Sequence, residues 1–306
     1  MYIISLYTYL FKGESIMKSP LMSVVIPMYN AKKFIRKPLE HLIHQTYQNI
    51  EIIIVDDGST DGCADIIKDY MKRDKRIKLI QQKNAGVSVA SNTGILAATG
   101  EYVSIHDHDD FVNLEYFEKM ANAAVLTDAD ILCGEVNEPG WSFPEFKRIE
   151  IATSMSDKIF MTHANGFNCA WRYAYKTEFL RRTKLLFEPA VWGTQDVIFS
   201  KSAIVLADTV ATVPGAVYTV VDQPTSLGKD HKKKDAHYSP EAPKAWQRYN
   251  ELVAKYGATE FLNTPDKPSG ITTFKMFNRT IFKIEKYPRK RRYYIFGINI
   301  GTKHMD

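Results

Sequence analysis

Cysteine is scarce: Cys63, Cys133 and Cys169 are the only three in 306 residues, far apart and in no Cys-x-x-Cys spacing. That argues against a disulfide framework and a structural zinc site and fits a reducing cytosol. No run of about 18 apolar residues is present, so no segment reads as a membrane-spanning helix. Charge of one sign is not in excess: 40 Lys and Arg face 35 Asp and Glu, a net +5 that is too mild to argue for nucleic acid. Neither Gly-x-Gly-x-x-Gly nor Gly-x-x-x-x-Gly-Lys occurs, so a dinucleotide fold and a P-loop NTPase lose their main signature. Internal repeats and low-complexity blocks are missing too. What remains, 45% apolar and 25% charged residues, is the balance of a globular protein. The length suits one large α/β domain with additions.

The first sixteen residues are apolar but broken by Ser5, Thr8 and Lys12, without the basic start and small-residue cleavage site of a signal peptide. They read as an extension ahead of a start at Met17 or Met22, or an ill-ordered arm; a membrane-lying arm is the alternative.

From Met22 the pattern alternates strand and helix. Ser23–Pro27, Ile50–Val55, Ile77–Ile80, Tyr102–Ile105 and Ile131–Cys133 are short apolar runs, as buried parallel strands require. Between them, Asn30 is positioned to cap a helix carrying Phe34, Ile35, Leu39, Leu42 and Ile43, with Pro38 expected to kink it or delay its start. Ser59 or Asp61 caps a helix to about Arg73, another spans about Gly86 to Ala98, and Asn113 caps one to about Leu126. This predicts an open, mostly parallel sheet with helices on both faces, binding ligands at the carboxyl ends of its strands. Past Gly134 the alternation weakens. Pro139–Pro144 is turn-rich, helical turns are expected at Glu178–Arg182 and Asp196–Ala203, Val210–Val221 reads as strand, and Gly228–Lys234 as a basic loop. Pro240–Tyr256 is patterned as an amphipathic helix.

Acidic residues concentrate at the expected carboxyl edge. Asp56-Asp57-Gly58-Ser59 ends the second strand and Asp107-His108-Asp109-Asp110 the fourth. An Asp-Asp-Gly-Ser stretch alone is also an ordinary Asx turn. Two carboxylate clusters on one edge, however, repel unless a cation intervenes, and hard oxygen ligands suit Mg²⁺ or Mn²⁺ bridging to phosphates. The His106-Asp107-His108 triplet leaves zinc open beside a packed role for His106.

Pro27-Met28-Tyr29-Asn30, Gln45-Thr46-Tyr47, Glu51 through Val55-Asp56-Asp57-Gly58-Ser59-Thr60-Asp61, Asn84-Ala85-Gly86, Asn92-Thr93-Gly94, Gly100-Glu101-Tyr102-Val103 and Asp107-His108-Asp109-Asp110 follow one another in order. This series resembles the nucleotide-binding half of inverting family-2 glycosyltransferases, densely over about Met22 to Phe117. The resemblance implies a GT-A fold and a nucleoside diphosphate sugar donor. By position, Pro27 and Tyr29 would line the nucleoside pocket. Asp57 would accept from the base, most often uracil, with Asp56 near the ribose and Asn84 and Gly86 on the same side. Asp107 would lie by ribose and metal, Asp109 would be the main ligand of Mn²⁺ or Mg²⁺, and His108 would touch the donor.

The family places its general base in a Glu-Asp pair opening a helix after a Trp-containing segment. Here Trp171-Arg172-Tyr173 precedes Thr194-Gln195-Asp196-Val197-Ile198-Phe199, so the resemblance puts the base at Asp196 and acceptor contacts at Trp171, Arg172 and Gln195. Helix capping by Asp196 is the plainer alternative. Two departures stand out. Gln195 replaces the usual Glu, and Ala90-Ser91-Asn92 lacks the family's Arg, for which Lys83 is a candidate substitute. The Gln-x-x-Arg-Trp signature of processive synthases is missing, which favours single-sugar transfer.

The end of the chain is basic and aromatic. Lys275, Arg279, Lys283 and Lys286 alternate with Phe274, Phe277, Ile281, Phe282 and Ile284, followed by Arg289-Lys290-Arg291-Arg292-Tyr293-Tyr294. An interfacial helix on anionic lipid fits this pattern, against a solvated face or an RNA patch. The expected division is an extension (1–21), a nucleotide-sugar half (22–128), an acceptor half (129–227) and a helical basic tail (228–306). The expected enzyme is cytoplasmic, peripheral on the inner membrane's cytoplasmic face, with a saccharide or lipid-linked saccharide acceptor and no nucleic acid partner. A nucleotidyltransferase and a non-catalytic sugar-nucleotide binder are the rivals.

Overall fold

The computed structural model describes residues 19–138, 145–164, 169–189, 191, 193–221 and 241–259, with the backbone of four further strands between 270 and 304. Most of the N-terminal extension, the Pro139–Pro144 segment and the Gly228–Lys234 loop lie outside the described residues.

Seven buried residues form β1 (Met22–Met28) and seven more form β2 (Ile50–Asp56). A strand covered on both faces needs apolar side chains at odd and even positions alike, which explains their unbroken apolar character. With β3 (Ile77–Gln81) and β4 (Tyr102–Ile105) they make a parallel group in the order β3-β2-β1-β4. Helices α1 (Arg36–Ile43), α2 (Cys63–Arg73) and α3 (Val87–Ala97) provide the crossovers that parallel strands require. Val24, Ile26, Ile52 and Ile54 pack with Leu39, Ile67 and Tyr70 on one face, while Val25, Ile53, Val55 and Val103 pack with Ala90 and Ile95 on the other.

Beyond β4 the same sheet continues through β8 (Tyr173–Lys176), β6 (Ile131–Asn137), β9 (Val210–Thr219) and β5 (Phe111–Val112), with β7 (Ile151–Ala152) also on β9. β8 is antiparallel to both neighbours, and β6 and β9 are parallel. Helices α4 (Tyr116–Thr127), α5 (Met155–Thr162), α6 (Thr177–Thr183), α7 (Gln195–Leu206) and α8 (Ala242–Lys255) complete the described body. One continuous sheet therefore runs through both expected halves.

Local expectations are met only in part. Asn30 does not cap a helix: it adopts left-handed backbone (φ 50°), and its Oδ1 accepts from the Thr60 N–H at 2.9 Å. As expected of Pro38, helix α1 starts late, at Arg36, so Pro38 falls in its first turn, where no N–H is needed. Within the expected tail, Pro240–Tyr256 yields helix α8 as expected, but the basic stretch beyond residue 270 is not helical. Its backbone forms four antiparallel strands, β10 (Gly270–Met276), β11 (Arg279–Tyr287), β12 (Lys290–Ile295) and β13 (Ile298–His304). The spacing of Phe274, Phe277, Ile281 and Ile284 suits a helix, but Pro288 interrupts one, and Thr272, Thr273, Ile281, Ile284, Tyr293 and Tyr294 are β-branched or aromatic.

Candidate active site

β1 sits where the strand order reverses, with β2 on one side and β4 on the other, and a doubly wound sheet opens its crevice at that point. Met28 pairs with Asp56, and β4 ends where the His106 N–H bonds the Val25 carbonyl at 2.9 Å. The ends of β2 and β4 are thus two strand spacings apart, about 10 Å, with Pro27–Tyr29 between them. The two acidic clusters therefore lie at the same edge of the sheet.

On the β2 side the carboxylates are largely committed to the fold. Asp56, 1% exposed, accepts from the Ser59 N–H at 3.0 Å and from Gln81 at 3.1 Å, the turn-forming role that an Asx turn implies. Asp57 accepts from Gln82 Nε2 (2.8 Å), the Ala85 N–H (2.9 Å) and the Gly86 N–H (2.8 Å). A carboxylate has about four lone-pair positions, so Asp57 keeps one for a ligand. Gly86 has φ 91° and ψ 159°, a backbone shape that only glycine adopts readily, and it turns its N–H toward Asp57 as α3 begins. Pro27 is buried, whereas Tyr29, Asn84 and Lys83 are exposed around this loop. Ser59 and Asp61 accept from the N–H groups of Asn30 and Lys32, which stitches the first two loops of the edge together.

On the β4 side the carboxylates are crowded and short of donors. Asp110 is pinned by the Val221 N–H (2.7 Å) and the Tyr218 hydroxyl (3.1 Å), yet burial still lifts it to about 7. The side chains of Asp107 and Asp109 make no hydrogen bond among the described residues. Burial, then the charges of Asp196, Asp110 and Asp109, raise Asp107 well above the carboxylate range. Asp196 opens α7, and burial lifts it to about 6. Its only hydrogen bond among the described residues is a long one, 3.3 Å, from Gln195 Nε2. Thr194 Oγ1 and Gln195 Oε1 beside it are buried without partners among the described residues. Residues 89 positions apart thus meet electrostatically, and no Lys or Arg among the described residues pairs with any of these acids.

A divalent cation fits such a site. The donors are hard oxygens and the acids lack a counter-charge, though no three His, Cys, Asp or Glu of the described residues converge into a cage. That suits Mg²⁺ or Mn²⁺, which take one or two carboxylates and complete their shell with phosphate and water. Zinc does not fit: His106 is 3% exposed, bonds Ser104 Oγ at 2.8 Å and packs against Tyr116, Phe117 and Tyr218. Burial pushes it down to about 3, so it stays neutral. His108 instead bonds the Pro27 carbonyl and lies near Phe34.

The expected acceptor contacts divide. Gln195 stands beside Asp196. Trp171 is 7% exposed and stacks on Tyr218 at 4.5 Å, supporting the Asp107–Asp110 loop from below. Arg172 is 1% exposed and donates to the Gly134 and Thr162 carbonyls, so little of it is left to touch a substrate. Sequence reasoning missed two participants. Tyr218 on β9 also accepts from the Asp107 N–H at 3.0 Å, and Glu138, just past β6, adds a carboxylate that Asp110 feels. Glu138 sits one residue beyond a strand end, as Asp57 does, and that position was the available signal.

An apolar cavity of about 300 Å³ lies near the C-terminal end of α3, lined by Ile95, Leu96, Leu180 and Arg181 among others. None of the acids lines it.

The profile described as "Glycosyl transferase family 2" matches residues 23–197, so the chain belongs to that family. An uncharacterized glycosyltransferase of Bacillus subtilis, EpsJ, is 35% identical over 216 residues, 68% of this chain and 63% of that protein. The matched region thus spans less than two thirds of that relative's length. Among solved structures, S. aureus TarS 1–349 in complex with UDP-GlcNAc aligns with a TM-score of 0.66 at 23% identity, over 79% of this chain and 71% of that one. The mannosyltransferase PcManGT of Pyrobaculum calidifontis, in complex with GDP-Man and Mn²⁺, aligns at 0.51 with 19% identity, over 84% and 82%. These likenesses show the GT-A fold.

Proposed function

We propose, taking membership of glycosyltransferase family 2 as the premise, that the chain moves one sugar from a nucleoside diphosphate sugar, in the first instance a UDP-sugar, to a hydroxyl of a saccharide or lipid-linked saccharide, with inversion. The observation that carries this reading is Asp196: a carboxylate at the start of α7, lifted to about 6 and facing the charge of Asp107. A base poised near working pH is what proton abstraction from a hydroxyl needs. Asp196 takes that proton as the acceptor oxygen bonds the anomeric carbon. The bond from that carbon to the diphosphate oxygen breaks, and the nucleoside diphosphate leaves with the electron pair. One displacement inverts the centre, so no enzyme nucleophile is required.

Asp57 keeps one acceptor position for the base of the nucleotide, with Pro27, Tyr29, Asn84 and His108 around it. Asp109, with Asp107 beside it, would hold Mn²⁺ or Mg²⁺, which neutralises the diphosphate when bound. The ligands in the TarS and PcManGT complexes, UDP-GlcNAc and GDP-Man with Mn²⁺, support a donor and an ion of these classes.

The experiment is UDP release from a panel of UDP-sugars with Mn²⁺. Turnover by wild type that is lost in Asp196→Asn supports the assignment, and equal release by both proteins removes Asp196 from it. Excess EDTA should abolish turnover and added Mn²⁺ restore it; full activity in chelator would end the metal assignment.

No helix among the described residues is long and apolar enough to cross a membrane. The tail suits peripheral attachment to the cytoplasmic face of the inner membrane, since its register lines up Lys286, Arg291 and Lys303 in one cross-strand row. Flotation with anionic liposomes should fall when the chain is cut before Thr272; unchanged flotation counts against the tail.

A further inference from the structure

We infer that Ser88 and Asn92 are positioning residues that set the place of Asp196 relative to the bound donor, an inference that rests on the proposed function. Helix α3 leaves the donor side at Gly86, whose N–H is held by Asp57 at 2.8 Å. In its first turn, Ser88 Oγ donates to the Val191 carbonyl at 2.6 Å. One turn later, Asn92 Nδ2 donates to the Phe187 carbonyl at 2.8 Å, and the Phe187 N–H donates back to Asn92 Oδ1 at 2.8 Å. A single amide thus engages both backbone groups of a residue 95 positions away, as a neighbouring strand would.

The clamped segment leads directly to Thr194-Gln195-Asp196. Phe187 also stacks on Phe199 at 4.1 Å with nearly parallel rings, and Phe199 lies three residues beyond Asp196 on α7. Phe187 is therefore tied to α3 through its backbone and to α7 through its ring. Asn92 is 9% exposed and Ser88 2%, so water does not compete for these bonds. The chain of contacts runs from the Asp57 loop through α3 to the segment before Asp196. It lets one helix place both the nucleotide contact and the base, and a misplacement of about 1 Å in such a constellation costs about 10²-fold in rate.

The test uses the full chain with Ser88→Ala, Asn92→Ala, Ser88→Thr and, as a control on the exposed side of the same helix, Leu96→Ala. UDP affinity is measured by calorimetry with Mn²⁺ present, and kcat and donor KM by UDP release. Melting temperature reports the folded fraction. Ser88→Ala and Asn92→Ala should bind UDP, and keep donor KM, within about twofold of wild type while kcat falls about tenfold or more. Ser88→Thr, which keeps the hydroxyl, should recover most of the rate, and Leu96→Ala should match wild type. Ser88→Ala, which loses one hydroxyl, keeps the test open if Asn92→Ala does not fold. Unchanged kcat in folded Ser88→Ala, or a rate that falls only with UDP affinity or folded fraction, overturns the inference. A wild type that binds UDP but releases none from any UDP-sugar overturns the proposed function and this inference with it.

Discussion

A buried carboxylate stands at each end of the parallel strands, and the two ends treat it in opposite ways. At the amino end, Glu51 accepts from Ser23 Oγ (2.5 Å), Lys78 Nζ (2.6 Å), the Thr99 N–H and hydroxyl (2.7 and 2.8 Å) and the Gly100 N–H (3.1 Å). Burial alone would raise it, but these donors outweigh burial and hold it down at about 2. At the carboxyl end, Asp107, Asp110 and Asp196 are pushed up by burial, and no cation among the described residues answers them. The first arrangement stabilises the fold. The second weakens it and leaves unsatisfied charge where a bound divalent cation would supply the missing counter-charge, a cost of the kind functional sites carry.

Three perturbations separate the two ends, and the largest effect belongs to the proposed base. Asp196→Asn should lower kcat by about 10²- to 10⁴-fold and leave stability level or higher, because a like charge beside Asp107 is gone. Loss of stability together with loss of rate would make Asp196 a structural residue.

Next in size is Glu51→Gln. A carboxyl moved from 4.5 to about 2 corresponds to about 2–3 kcal/mol of stability once solvent at the half-exposed Lys78 is allowed for. Because the folded-state value is depressed, that stability is present above about 4.5 and is lost as pH falls toward about 2. The carboxyl edge has the opposite sign. Values raised to about 6 and 7 mean the folded state binds protons more tightly, so metal-free protein should gain stability as pH falls from about 7 toward 4. Melting temperature against pH should therefore peak between these windows, and Glu51→Gln should remove the acid-side decline. A monotonic profile would break the contrast.

The smallest change is Gln195→Glu. It replaces the Nε2–H that faces Asp196 Oδ2 with a second acceptor, so the acid limb of kcat/KM should move upward from near pH 6 while the maximal rate stays within about tenfold. An unmoved acid limb would show that Gln195 does not act on the base.

The parallel group was legible because a strand buried on both faces must be apolar throughout, and the acids after β2 and β4 stood out against those runs. The proposed base was legible only by resemblance, since Asp196 alone reads as a helix cap. Arg172 looked like a substrate contact because an arginine beside a tryptophan carries no sign that it will be enclosed. Tyr218, Glu138 and the Asn92–Phe187 clamp were not legible, because each acts on residues about 30 to 110 positions away and local pattern carries no partner. The tail misled for a related reason: apolar spacing fitted a helix, and the pairing that decides a strand comes from other strands.

By itself the sequence determined six strands of the sheet, β1 to β4, β6 and β9, and that carboxylates end two of them, because these follow from local polarity and backbone preference, whereas β8 in the middle of the sheet was not legible. Only the tertiary structure decided which carboxylates are satisfied and which are left charged in the crevice. That depends on donors and like charges brought close by strand order, and distance in space, unlike distance along the chain, sets the strength of both.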